Sequence, residues 1–82
     1  MPVLLIAGGS RGIGAATARL GAAAGYDVAV NYKSNAKAAD EVVAAVKAQG
    51  RKAVAIKGDM ALEADIMRTF DEAAKALGPI TH

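Results

Sequence analysis

Cysteine and tryptophan are absent from the 82 residues, and histidine occurs once, as His82. Disulfides and thiolate metal sites are therefore excluded, and a single terminal imidazole is too little for a metal centre, so no metal ligand is assigned. Aromatic residues make up only 4% of the chain, one Phe and two Tyr. The hydrophobic fraction is 54%, but 21 of those residues are alanine, so the core has to be built from short aliphatic side chains. An excess of one charge is lacking too: ten basic and eight acidic residues are dispersed to a net charge of +2. That balance offers neither a nucleic-acid stripe nor a polybasic membrane patch. Long apolar runs are missing, because "VLLIA" is interrupted at once by glycine, far short of the roughly 18 residues of a membrane span. No charged leader precedes it. From these absences the chain is expected to be cytoplasmic, with no nucleic-acid and no membrane partner. Its length allows at most one small domain.

Strands and helices alternate in the pattern that remains. Residues 3 to 7, "VLLIA", read as a strand buried on both faces. Ile13, Ala16, Thr17, Leu20 and Ala24 then follow helical spacing, stopped by Gly25. "VAVNY" at 28 to 32 is a second strand, rich in β-branched residues. A second helix carries Ala39, Val42, Val43 and Val46 on one stripe, with Ser34 or Asn35 able to cap its start and Gly50 at its end. "AVAIK" at 53 to 57 is the third strand, and the last helix places Leu62, Ile66, Phe70, Ala73 and Leu77 on one face before Gly78-Pro79. The order β-α-β-α-β-α implies an α/β fold with a parallel sheet and right-handed crossovers, one half of a doubly wound Rossmann-type sheet with strand order 3-2-1. In that half the first strand is expected to present an unpaired backbone edge, where a complete fold would place a fourth strand.

The chemistry is concentrated in "IAGGSRGIGA", where four glycines and an arginine follow the first strand within seven residues. Glycine inside a packed element costs about 0.5–1 kcal/mol relative to alanine, so the cluster calls for a reason other than stability. A glycine-rich turn into a helix lets backbone N–H groups approach a phosphate, aided by the helix dipole. Gly9 and Gly14 have the separation of a P-loop, but Ala15 and Ala16 stand where lysine and Ser/Thr would hold phosphate and magnesium. Gly8, Gly12 and Gly14 instead give a GxxxGxG turn in the strand, turn, helix, strand context of a dinucleotide site. The plainer alternative is a tight βα connection with close helix packing.

Where the second strand ends, Asn31, Tyr32, Lys33 and Ser34 include no acid to hold a ribose 2′-hydroxyl, which points to NADP in preference to NAD. Lys33 and Arg11 can form charge-assisted bonds to a 2′-phosphate, with Ser34 beside them, although Lys33 alone could be a solvated surface lysine. Asp59 follows the third strand at the sheet edge where ligands bind. It can accept from an adenine amino group or cap the last helix, or both. The candidate cofactor-binding residues are thus Gly8, Ser10, Arg11, Gly12, Ile13, Gly14, Asn31, Tyr32, Lys33, Ser34, Asp59 and Met60, the last more apolar wall than chemistry.

These motifs resemble the short-chain dehydrogenase/reductase family over Val3 to His82. "AGGSRGIG" is similar to that family's TGxxxGIG cofactor motif, with Ala7 where threonine is common. "VNYKSN" is similar to its NADP-accepting members of the glucose dehydrogenase and 3-oxoacyl-carrier-protein reductase type, and "IKGDM" to its adenine-contacting strand end. The resemblance implies a Rossmann fold, a nicotinamide cofactor and carbonyl/alcohol oxidoreduction of a small-molecule substrate in a dimeric or tetrameric enzyme. It also implies a catalytic serine and a YxxxK pair, in which the lysine lowers the pKa of a tyrosine acid/base. Tyr26 is followed four residues later by Val30, and Tyr32 by Ala36, so neither is that pair and no catalytic residue is assigned. The family's NNAG segment does not occur either. Residues 1–82 are therefore expected to be the cofactor-binding half of a Rossmann domain whose catalytic half lies outside this chain, without turnover alone, pairing with that remainder or with copies of itself. A non-catalytic NADP-binding or regulatory module is the alternative, and a fragment that binds nothing is a third.

Overall fold

A computed structural model describes residues 2–8 and 12–82, apart from the side chain of Ile13. The chain forms β1 (Val3–Ile6), α1 (Gly12–Ala23), β2 (Asp27–Tyr32), α2 (Ala36–Ala48), β3 (Ala53–Lys57) and α3 (Glu63–Leu77). The sheet order is β1-β2-β3, which is the expected 3-2-1 read from the opposite edge, and both pairings are parallel. Ile6 stands opposite Val30, and Tyr32 opposite Lys57, so β2 and β3 run on past the end of β1. All three strands finish at the same edge, the place where an open α/β sheet receives its ligands.

The helices cover both faces. On one face α1 and α2 close over Ile6, Val28 and Val30, with Ala18, Ala22, Ala39, Val42 and Val46 completing the cluster. On the other, α3 brings Ala73 against Ala29 and Ile56, with Leu5, Val54, Leu77 and Ile80 at the margin. The alternation of side chains along each strand divides the residues between these two cores. Val28, Val30 and Val46 are fully buried. Each contributes about 1.5–3 kcal/mol through the apolar area it removes from water, more than any of the alanines around it can.

Three features differ from the sequence reading. First, α1 buries Ala18 and Ala22, with Ala15 at the margin, and leaves Ala16, Thr17, Leu20 and Ala24 in solvent. The reason is steric: a Cβ on Gly21 would lie 2.7 Å from Cδ2 of Leu4, so the helix sits close on β1 and its contact face has room only for small residues. Leu20, the largest apolar side chain of that helix apart from Ile13, is 71% exposed on the other side. Second, α3 buries Thr69 and Ala73, whereas Leu62 and Phe70 of the expected stripe are exposed. The side chains of α3 packed against this face of the sheet are Ala73 and Leu77, and Phe70 lies outside their cluster. Third, the free edge of β1 is partly paired by the chain's own end. His82 N donates to Val3 O at 3.0 Å and His82 O accepts from Leu5 N at 2.8 Å, the alternating pattern of a parallel neighbour. Thr81 adds its backbone N to Val3 O and accepts Val3 N on its hydroxyl at 3.0 Å.

Candidate functional site

At the carboxyl edge of the sheet the turn after β1 opens first. Gly8 has φ 65° and Gly12 φ 49°, a left-handed backbone that L side chains seldom adopt. Among the described residues, and leaving aside each glycine's own chain neighbours, no heavy atom lies within 4 Å of where a Cβ would stand at either position. Gly12 begins α1, which has no acidic residue in its first turn to neutralise the positive end of the helix dipole. Gly14 follows within the first turn of the same helix. Ser10, Arg11 and the side chain of Ile13 lie outside the described residues.

The end of β2 supplies the next group. The parity of the strand sends Asn31 to the α3 side and half-buried Tyr32 to the other, where it packs beside the α1/α2 core. Asn31 is only 3% exposed. Its Nδ2 donates to Gly58 O at 3.1 Å and to Ile56 O at 3.4 Å, so the side chain is spent on the neighbouring strand and serves the site by fixing the end of β3. Lys33 and Ser34 are exposed beyond it. Asn35, not Ser34, caps α2: its Oδ1 accepts from Ala38 N at 3.0 Å.

Asp59 and half-buried Met60 follow β3. Asp59 is held from several sides, with Oδ1 accepting from Ala61 N at 2.9 Å and its own N donating to Asp65 Oδ2 at 2.8 Å. The backbone N of Leu62 closes the turn on Asp59 O at 2.9 Å. The carboxylate thus caps a turn ahead of α3, while the helix N-cap itself is Leu62, with no side-chain cap bond. Oδ2 of Asp59 points the other way and lies 3.6 Å from Nζ of Lys33. An acid that the segment 31–34 lacks is therefore brought to Lys33 from the turn after the adjacent strand. Sequence reading also missed Arg68, whose Nη2 donates to Lys57 O and whose Nη1 pairs with Glu72 at 2.9 Å, securing α3 to the end of β3. Its sequence signals are the i,i+3 spacing from Asp65 and the i,i+4 spacing to Glu72.

A glycine-rich connection into a helix, at the carboxyl edge of a parallel sheet covered on both faces, defines a Rossmann-type nucleotide-binding α/β unit. Within that class the chain belongs to the short-chain dehydrogenase family, whose sequence model matches residues 2–82. It is 46% identical over 70 residues to an uncharacterised oxidoreductase of Escherichia coli K12, covering 85% of this chain and 28% of that protein. It is 45% identical over 76 residues to a hydroxynaphthalene reductase of Aspergillus fumigatus, covering 93% of this chain and 28% of the other. A crystal structure of a short chain dehydrogenase from Burkholderia cenocepacia J2315 in complex with NADP superposes with a TM-score of 0.92 at 44% identity, over 96% of this chain and 32% of that one. The chain thus spans about three-tenths of the length of the relatives it matches.

Proposed function

We propose that residues 1–82 are the cofactor-binding part of an NADP(H)-dependent short-chain dehydrogenase/reductase that interconverts a carbonyl and an alcohol on a small-molecule substrate. The observation that carries this reading is the meeting, at one sheet edge, of the positive-φ Gly8 and Gly12 backbones, the exposed cation Lys33, and Asp59 in the turn after β3. The donor set fits the cofactor: backbone amides at the start of α1 suit a pyrophosphate, an ammonium suits a 2′-phosphate, and a carboxylate suits the adenine amino group. When bound, the nicotinamide supplies or accepts the hydride. The chain's own residues bind and orient: Gly8, Gly12 and Gly14 admit the pyrophosphate to the backbone, with Ser10 and Ile13 beside it. Arg11, Lys33 and Ser34 receive the 2′-phosphate, Asp59 and Met60 line the adenine, and Asn31 and Tyr32 support the wall. Among the described residues, no helix is long and apolar enough to cross a membrane. A cytoplasmic enzyme that assembles as a homo-oligomer is the corresponding cellular reading.

The Lys33→Asp variant tests the cofactor. In fluorescence titrations it weakens NADPH at least tenfold and NADH by much less, because the change removes a cation and sets an acid against the 2′-phosphate. Equal effects on the two nucleotides overturn the NADP reading.

A further inference from the structure

The Lys33–Asp59 pair has a consequence for selectivity. Asp59 is the better anchored partner: Ala61 N donates to its Oδ1, its backbone N donates to Asp65 Oδ2, and Asn31 holds the carbonyl of Gly58 just before it. Asp65 is itself 3.9 Å from Arg68, so the nearest cation on α3 is already engaged by acids of its own helix. Lys33 carries a flexible side chain that is 76% exposed, against 31% for the Asp59 side chain. The carboxylate is fixed and the ammonium comes to it.

We propose that Asp59 sets the nucleotide selectivity of this site through Lys33, its carboxylate competing with a 2′-phosphate for the same ammonium. The inference rests on the NADP reading and extends it to a residue placed there only for adenine. A phosphate oxygen hydrogen-bonded to Nζ lies about 3 Å from it. With Asp59 Oδ2 at 3.6 Å on the same nitrogen, the two anions are no more than about 7 Å apart. That separation is inside the Debye length of about 8 Å at physiological salt, so their repulsion is felt. A ribose bearing a 2′-hydroxyl meets no such opposition. Asp59 therefore narrows the preference for the phosphorylated cofactor that Lys33 creates.

The test is a set of binding titrations of the purified protein with NADPH and NADH, read by nucleotide fluorescence and by calorimetry, with folding checked by circular dichroism. Asp59→Asn keeps an acceptor for Ala61 N and removes the charge. Loss of an adenine contact affects both nucleotides alike and cancels in the ratio of their dissociation constants. That ratio shifts toward NADPH by about three- to fivefold, the scale of an exposed ion pair. Asp59→Ser gives the same shift and serves as the second variant if the amide perturbs the fold. In a Lys33→Met background neither change moves the ratio, because the ammonium that links the two anions is gone. An unchanged ratio in the single variants, or a shift that persists without Lys33, overturns the proposal. If the unaltered protein binds neither nucleotide, the NADP reading fails, and this inference with it.

Discussion

At Gly58 the volume that a side chain would need is already taken. A Cβ there would stand 3.0 Å from Thr69 Oγ1, 3.1 Å from Arg68 Nη2 and 3.5 Å from Asn31 Nδ2. Arg68 is partly exposed and can swing aside, but Thr69 is fully buried and Asn31 is committed to two carbonyls. Gly58→Ala is therefore expected to cost about 1–3 kcal/mol, as overpacking does in a filled interior. A urea titration measures it, and a midpoint equal to that of the unaltered protein refutes the packing described. The residue types of the glycine turn, Lys33 and Asp59 were legible at this scale because backbone freedom and charge are properties of single residues. The burial of Asn31 was not. A polar residue closing a strand reads as a ligand contact until the partner strand's carbonyls are known to lie opposite it.

At the scale of elements, the three strands and three helices were legible, and their ends agree to within two residues. The stripe of α2 was also legible, because Ala39, Val42 and Val46 alternate with charged residues that mark the solvent side. In α1 that contrast is missing. Its sequence, "GIGAATARLGAA", has one charged side chain, Arg19, and period alone cannot orient it. Close approach to β1 settles the matter in favour of the small face. A pair of substitutions separates the two faces in the 82-residue chain: Leu20→Lys is expected to stay within about 0.5 kcal/mol of the original stability, as exposed changes do. Ala22→Leu forces a larger side chain against the sheet and is expected to lose about 1–3 kcal/mol. Thermal melts of the two decide it, and the reverse ranking would restore the stripe through Leu20.

Over the whole molecule, apolar surface is left on the helices. Met67 and Phe70 are exposed one turn apart on α3, with half-buried Ile66 one turn before Phe70. Contiguous apolar side chains of this kind drive association. The 82-residue chain is expected to self-associate at tens of micromolar, and Met67→Lys with Phe70→Ser to shift it toward monomer in sedimentation velocity. Monomer at all concentrations before substitution counts against the patch. The edge of β1 carries less of this burden than the strand order implies, since Thr81 and His82 hydrogen-bond along it.

What the sequence by itself determined is the alternation of strands and helices, the parallel sheet, the glycine-rich connection after β1 and the family. Each of these follows from local periodicity or from residues whose meaning travels with them, such as glycine at positive φ. Only the tertiary structure decided which face of α1 is inside, where Asn31 points and what stands beside Lys33. Those depend on how closely elements approach and on which strand end lies next to which. Asp59 is 26 residues from Lys33 in the chain and 3.6 Å from it in space. The register of β2 on β3, which sets Tyr32 opposite Lys57, brings them to the same edge, and the turn after β3 holds Asp59 there.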